Sequence, residues 1–156
     1  MKKVNEMPDV KFTNAGKPVT ERDIEQVETE MGFVFPPDIR RFYLRTNGGR
    51  PYPHLFPKDG ELFAVHQFLS LKFANPRLTV ESTYQDLTTD PEKSMFPKYL
   101  VPIAIDPGGD HYCFSTRKED IGVMYCFSWE HYDEPERAII HLVESLDLFL
   151  DALVEE

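Results

Sequence analysis

The segment Met31-Gly32-Phe33-Val34-Phe35-Pro36-Pro37-Asp38 decides how the chain begins to fold. Gly32 is placed to end a helix, because glycine adopts the left-handed conformation without steric penalty. Pro36 and Pro37 suit the start of a second helix, where a missing backbone N–H costs nothing. The apolar residues 33–35 between these signals predict a tight connector that runs beneath the first helix.

Sequence signals on both sides of this connector predict one helix before it and one helix after it. Thr20 is a candidate N-cap, with Asp23 three residues later, as in a capping box. Asn47-Gly48-Gly49 is expected to end the second helix. Apolar or small residues at helical spacing give each helix one buried side: Ile24, Val27 and Met31 in the first, and Ile39, Phe42, Tyr43 and Thr46 in the second.

The remainder of the chain is dominated by strand patterns. Pro102 lies inside one of them, which requires a sheet edge, a strand end or a bulge at that position. Ser145 is a candidate cap for a last helix rich in leucine. The predicted order is two short strands, 61–65 and 68–72, a weak helix over 78–87, and strands over 100–105, 111–115, 123–128 and 138–143. This order predicts an α+β fold in which two N-terminal helices and one C-terminal helix pack on a mostly antiparallel sheet.

Length and hydropathy bound the domain organisation. A chain of 156 residues is typical of one domain. Residues 1–17 are polar and without clear periodicity, so they are expected to form a loosely ordered lead-in to a single domain over 18–156. No apolar run approaches the ~20 residues of a membrane helix, and the first residues lack the apolar region of a signal peptide. We therefore expect a cytoplasmic protein.

Charge is distributed unevenly between the two halves of the chain. The sequence has 17 basic and 27 acidic residues, a net charge of −10. Residues 1–78 carry 12 basic and 10 acidic residues (+2), whereas residues 79–156 carry 5 and 17 (−12). An acidic surface formed by the second half would repel nucleic acid and anionic lipid and attract a basic protein. The alternative is a solvated acidic surface that only maintains solubility.

Reactive residue types occur without the spacing of a known reaction centre. Asp106, Asp110 and His111 surround a glycine turn, and could bind a metal or serve a small hydrolase. Their spacing fits neither a calcium loop nor a zinc motif, and such turns commonly join hairpin strands. Cys113 and Cys126 could be close neighbours if their strands pair as a hairpin, although the cytosol disfavours a disulfide. We expect no enzymatic activity, no bound metal and no cofactor.

Trp129, the only tryptophan, follows a predicted strand and precedes an acidic run. A tryptophan in this position is either a core residue or an anchor for a protein partner. The preceding loop contributes two more acids, which a hairpin would place at its opposite end. The candidate partner-binding residues are Glu119, Asp120, Trp129, Glu130, Asp133, Glu134 and Glu136.

An ordered set of motifs resembles the SUKH superfamily, and within it the Smi/Knr family, named for a yeast regulator of cell-wall synthesis. The resemblance covers about Pro18 to Val154. The motifs are Thr20-x-x-Asp23-Ile24, the 31–38 segment quoted above, Arg41-Phe42-Tyr43-Leu44-x-x-Asn47-Gly48-Gly49, Phe68-Leu69-Ser70-Leu71, Val101-Pro102-Ile103-Ala104, Gly108-Gly109-Asp110 and Trp129-x-His131.

The resemblance implies an α+β domain that binds proteins and has no known catalytic centre. Bacterial relatives often serve as immunity proteins against toxins, many of them nucleases or deaminases. Yeast relatives act as interaction hubs. We hypothesise an immunity protein that binds a basic toxin domain stoichiometrically, as a monomer or weak dimer, without contacting nucleic acid or membrane. The alternative is a scaffold or regulatory module of cell-wall or signalling type.

Overall fold

The computed structural model describes residues 9–74 and 78–156, and within them it has an α+β fold. This confirms the predicted fold class. The helices are α1 (Glu21–Met31), α2 (Pro37–Arg45), α3 (Val80–Thr89), α4 (Pro135–Ala138) and α5 (Leu146–Asp151). The strands are β1 (Lys11–Thr13), β2 (Arg50–Tyr52), β3 (Leu55–Lys58), β4 (Glu61–Ala64), β5 (Gln67–Phe68), β6 (Leu100–Ile105), β7 (His111–Ser115), β8 (Met124–Phe127) and β9 (Ile139–Val143).

The central element is a five-stranded antiparallel sheet in the order β5-β6-β7-β8-β9. Two smaller antiparallel pairs, β1-β2 and β3-β4, accompany it. The pairing of β6 with β7 shifts register between Pro102 and Ala104. This irregularity confirms that the strand accommodates Pro102 with a bulge, since proline cannot donate to the ladder.

The helix signals in the sequence form as predicted. Thr20 Oγ1 accepts a hydrogen bond from the Asp23 N–H at 3.2 Å, and the Asp23 carboxylate accepts one from the Thr20 N–H at 2.9 Å. Gly32 ends α1 in the left-handed conformation, with φ of 82°. Phe33 and Phe35 of the connector are buried, whereas Val34 between them is exposed.

The two faces of the sheet carry separate apolar clusters. The main cluster includes Phe42 of α2, Phe68 of β5 and Phe149 of α5. A smaller cluster contains Leu87 of α3 and Phe127 of β8. Because side chains alternate along a strand, neighbouring residues of one strand contribute to different clusters.

This alternation separates the two cysteines. Cys113 lies opposite Tyr125, and Cys126 lies opposite Tyr112. The two thiols therefore project from different faces of the sheet, Cys113 into the smaller cluster and Cys126 into the main one. Both are buried and free. The sequence left open whether the paired strands bring the two cysteines together, and the register places them on opposite faces of the sheet.

The N-terminal segment differs from the loosely ordered lead-in that its composition predicts. Residues 1–8 lie outside the described residues. From there on, Val10 is buried, and β1 pairs with β2 in the register Lys11↔Tyr52 to Thr13↔Arg50. Pairing across such a sequence distance leaves no periodic signal in a three-residue strand, so composition alone did not indicate it.

Asn47, just after α2, joins three segments through its buried amide. Its Nδ2 donates to Lys17 O at 2.7 Å and to Leu71 O at 2.9 Å, and its Oδ1 accepts from Leu71 N at 2.7 Å. Its own carbonyl accepts from Gly16 N at 2.9 Å. A buried amide satisfied on all sides fixes its neighbours strongly, because losing a partner would leave a desolvated polar atom.

Candidate partner-binding surface

The predicted site residues divide between the two ends of the β7-β8 hairpin. The hairpin pairs His111 with Phe127 at one end and Phe114 with Met124 at the other. Glu119 lies in the connecting loop, and the segment from Trp129 onward leaves the opposite end. The structure thus places Glu119 and Asp120 apart from the other five candidates, as the hairpin prediction anticipated.

Asp120 is the centre of a hydrogen-bond network in the connecting loop. Its Oδ1 accepts from Ser115 Oγ at 2.5 Å and from Arg117 Nε at 3.1 Å, and its Oδ2 accepts from Tyr125 Oη at 2.6 Å. Arg117 also lies over the Tyr99 ring, 3.9 Å from its centroid. The Asp120 carboxylate is therefore engaged within the protein, while its neighbour Glu119 is exposed.

The network sets the acidity of the Asp120 side chain. Burial acts to raise the pKa of Asp120, but hydrogen bonds from Arg117, Ser115 and Tyr125 outweigh it and lower the pKa to about 2. An ionised carboxylate that accepts several hydrogen bonds is favoured over its protonated form. Asp120 is thus charged at neutral pH, and that charge is neutralised locally by Arg117.

Trp129 is held inside the opposite end of the hairpin. Its indole Nε1 donates to His111 Nδ1 at 2.9 Å, and its backbone N–H donates to Asp110 Oδ1 at 3.0 Å. Its ring stacks on Phe96 and meets Phe127 edge-on, with centroid distances of 6.1 Å and 4.7 Å. These contacts pack the partly buried Trp129 ring against the smaller apolar cluster, and a direct contact of Trp129 with a partner stays a prediction.

His111 is neutral in this arrangement. Burial, with a smaller contribution from the charge of Lys93, lowers the pKa of His111 to about 4. Because Nδ1 accepts the hydrogen bond from Trp129, the ring proton belongs on Nε2. The imidazole therefore serves as a fixed acceptor for the indole.

The glycine turn beside Trp129 uses its acids internally. Asp106 Oδ1 accepts from the Asp110 N–H at 2.7 Å, and Asp110 Oδ1 accepts from Trp129. The described residues contain no group of three or more potential metal ligands. In this turn the polar atoms of Asp106, Asp110 and His111 support the backbone and the tryptophan.

The acidic segment, defined here as residues 130–136, extends from this braced end. The Ser128 N–H donates to Ala138 O at 2.8 Å and closes the segment at its base. The Glu130 side chain is 84% exposed and that of Glu134 51% exposed; Asp133 and Glu136 are exposed as well. Of these four acids, Glu134 contacts an arginine, Arg137, at 3.3 Å.

Tyr132 is a residue of the acidic segment that the sequence interpretation missed. Its side chain is 47% exposed, and it lies between His131 and Asp133. The signal in the sequence is an aromatic residue inside the acidic run. The structure turns one aromatic inward and leaves the other at the surface.

Acidic side chains lie close enough together at this end to affect one another's ionisation. Burial raises the pKa of Asp110, the hydrogen bond from Trp129 opposes this, and the charges of Asp106 and Glu130 raise it further. Ionised carboxylates that lie close together repel one another, and a positive charge placed beside them offsets this repulsion. This end of the molecule is thus suited to contact with cationic groups.

Comparison with models of protein families places the chain. The family model described as the SMI1 / KNR4 family (SUKH-1) matches residues 18–152, which is most of the chain. No curated protein matches the sequence. Among the described residues, no helix is both long enough and apolar enough to cross a membrane.

Proposed function

Because the chain belongs to the SMI1 / KNR4 family (SUKH-1), we propose that it is an immunity protein that neutralises a toxin by binding it stoichiometrically. The toxin domain is basic, and the acidic segment is the part of this chain that meets it. The protein acts in the cytoplasm, as a monomer or weak dimer, and contacts neither nucleic acid nor membrane. The family resemblance motivates the class of partner, and the charge of the surface motivates its sign.

The observation that carries the proposal is the exposure of four carboxylates on a short, internally braced segment. Glu130, Asp133, Glu134 and Glu136 face solvent beside a turn whose acids already repel one another. A basic partner relieves that repulsion and is steered toward it over a distance of about one Debye length, ~8 Å at physiological salt. The braced backbone limits the conformational entropy lost on binding.

Tyr132 adds a contact that charge alone does not provide. Exposed tyrosines are frequent anchors in protein interfaces, because they bury a large area at a low cost in side-chain entropy. At 47% exposure, the Tyr132 ring can be covered further by a partner. The acids around it then form a polar rim.

Binding is sufficient for this function, and the best candidate nucleophiles are disfavoured for catalysis. Burial raises the pKa of Cys126 to about 12 and raises that of Cys113 as well. Both thiols are therefore protonated at neutral pH and are poor nucleophiles. We propose that the chain has no enzymatic role.

The test is charge reversal of the acidic segment. The variant Glu130→Lys, Asp133→Lys, Glu134→Lys, Glu136→Lys is compared with wild type for association with its purified partner, which is sought first among the proteins encoded beside this chain's gene. We expect slower association and a weaker dependence of its rate on salt. The matched control reverses four exposed acids elsewhere, Asp59, Glu61, Glu92 and Glu156, which changes the net charge equally.

An equal loss in both variants would mean that net charge acts without a defined surface. Unchanged binding in the first variant would refute the role of the acidic segment. Survival of cells that express the neighbouring reading frame, with and without this chain, tests immunity itself. Equal survival would favour the scaffold or regulatory function instead.

A further inference from the structure

The free edge of the central sheet lies next to the acidic segment. Strand β9 is the last in the sheet order, and no other strand of the described residues pairs with its outer side. α4, which holds Glu136, leads directly into β9. An exposed strand edge presents backbone donors and acceptors to which another chain can add a strand.

Most outward-facing backbone groups of β9 already have partners. The Ile139 N–H donates to Pro135 O of α4. The Lys58 ammonium donates to His141 O at 2.7 Å and to Leu142 O at 2.8 Å. Two consecutive carbonyls can share one ammonium because β9 shifts register against β8 at this point, as in a bulge.

Two outward groups remain, Ile139 C=O and His141 N–H. The carbonyl of Ala138 points toward β8, where it accepts from Ser128. Successive carbonyls alternate in direction along a strand, so Ile139 points away from the sheet, as His141 does. No hydrogen bond from a described residue outside the sheet reaches either group.

This pair of groups selects the direction of an incoming strand. In a parallel ladder, a single residue donates its N–H to one residue and accepts from the residue two positions later. Ile139 C=O and His141 N–H are spaced in this way around Ile140. An antiparallel strand would need the Ile139 N–H and the His141 carbonyl too, and both are occupied. An antiparallel strand would therefore leave its own facing backbone groups buried and unpaired, which costs free energy.

We propose that the β9 edge accepts a short parallel strand of the partner, whose N-terminal end is basic. This deepens the proposed function and rests on it. In parallel orientation the first residues of the incoming strand lie nearest to α4 and the acidic segment, where the exposed acids outnumber the single cation Arg137. At the other end the Lys58 ammonium lies against His141 and Leu142, so cations are not favoured there.

A second copy of this chain fits the edge less well. Two β9 strands related by a two-fold axis run antiparallel, which is the direction that the occupied groups disfavour.

The proposal is tested on the full chain with the peptide acetyl-Lys-Lys-Thr-Val-Thr-Val-amide, followed by NMR. We expect saturable shifts of the His141 amide and the Ile139 carbonyl. The peptide with the same residues but both lysines last, acetyl-Thr-Val-Thr-Val-Lys-Lys-amide, should bind several-fold more weakly. So should acetyl-Glu-Glu-Thr-Val-Thr-Val-amide, since its charge is reversed.

Two variants separate the backbone from the charge. His141→Pro removes the free N–H and should abolish the shift at Ile139, whereas the control His141→Ala keeps the N–H and should retain it. The double variant Glu134→Lys, Glu136→Lys should transfer the preference to the glutamate peptide, and it decides the question even if the proline variant does not fold.

Shifts confined to residues 130–136 would overturn the strand proposal and leave the acidic segment as the proposed contact. Equal binding of the two lysine peptides would overturn the parallel orientation. A His141 amide shift that grows with protein concentration, without peptide, would assign the edge to self-association and overturn the proposal as well.

Discussion

The two ends of the β7-β8 hairpin carry the same residue types in opposite states. In the connecting loop, Asp120 is bonded to Ser115, Arg117 and Tyr125. Beyond the other end, the carboxylates of the acidic segment face solvent, while the neighbouring tryptophan is fixed by His111. One end uses a charged side chain to hold the loop together, and the other holds an aromatic side chain through His111 and Asp110 beside acids that face solvent.

The difference shows that acidic content alone does not identify a binding surface. The relevant difference is whether a carboxylate already accepts hydrogen bonds from other groups of the same protein. Asp120 already accepts such bonds, and it could bind another protein only after its internal hydrogen bonds were broken, which costs free energy. Glu130 has no such cost, because its exposed side chain loses only hydration and rotamer freedom on binding.

The largest expected effect is a pH-dependent loss of unfolding free energy at the end that holds His111. His111 has a folded-state pKa of about 4, below the ~6.5 of an unfolded chain. Stability from the neutral imidazole is complete above pH ~6.5 and is lost as the pH falls toward 4, by up to about 3 kcal/mol. Urea unfolding from pH 7 to 4, followed by Trp129 fluorescence, measures this loss. His111→Asn should flatten the profile, and an unchanged slope would contradict the assignment.

The next largest effect on the unfolding free energy is expected in the loop that connects β7 and β8. Asp120→Asn should lower the free energy of unfolding by about 2 kcal/mol at pH 7, since it weakens a hydrogen-bonded charge pair whose arginine is partly exposed. The folded-state pKa of Asp120 is depressed to about 2. Wild type should therefore lose this advantage as the pH falls from ~4 toward 2. Glu119→Gln is the control; a cost similar to that of Asp120→Asn would show that the network is not the cause.

A smaller effect is expected at the tryptophan. Trp129→Phe keeps an aromatic ring but removes the hydrogen bond to His111, and it should cost about 1 kcal/mol of unfolding free energy. Partner affinity should stay unchanged if Trp129 is only a core residue. Chemical unfolding and titration of the partner measure the two quantities separately. A loss of affinity without a loss of stability would instead make Trp129 a direct contact.

The smallest effect on stability is expected at the surface of the acidic segment. Tyr132→Ala and Glu130→Gln should each change the unfolding free energy by no more than ~0.5 kcal/mol, as exposed substitutions usually do. Their effect should appear in partner binding, where loss of an aromatic anchor typically costs more than 1 kcal/mol. If Tyr132→Ala destabilised the fold and left binding intact, Tyr132 would be a packing residue and not a contact for the partner.

The local elements of the fold could be predicted from the sequence. The Thr20–Asp23 capping box, the Gly32 stop and the irregularity at Pro102 all formed as expected, since each depends on residues that are close in sequence. Strand β1 was missed because its partner β2 lies almost 40 residues later. Its stability comes from that pairing and from burial of Val10.

The candidate site was predictable only in outline. The sequence identified the acidic run and one neighbouring aromatic residue, Trp129, and the hairpin register put the loop acids at the other end. It did not distinguish Glu119 from Asp120, which are adjacent residues of similar chemistry. Three-dimensional contacts with Ser115 and Tyr125 make that distinction, and the same is true of Trp129 and Tyr132.

The bonds of Asn47 have a practical consequence for where the chain can be cut. The family match begins at residue 18, which suggests an obvious starting point for a shortened protein. Such a fragment would lack Lys17, the acceptor of one Asn47 amide proton, and Gly16, the donor to its carbonyl. It would also lose the strand that pairs with β2. A fragment meant to fold should keep residues 10–17.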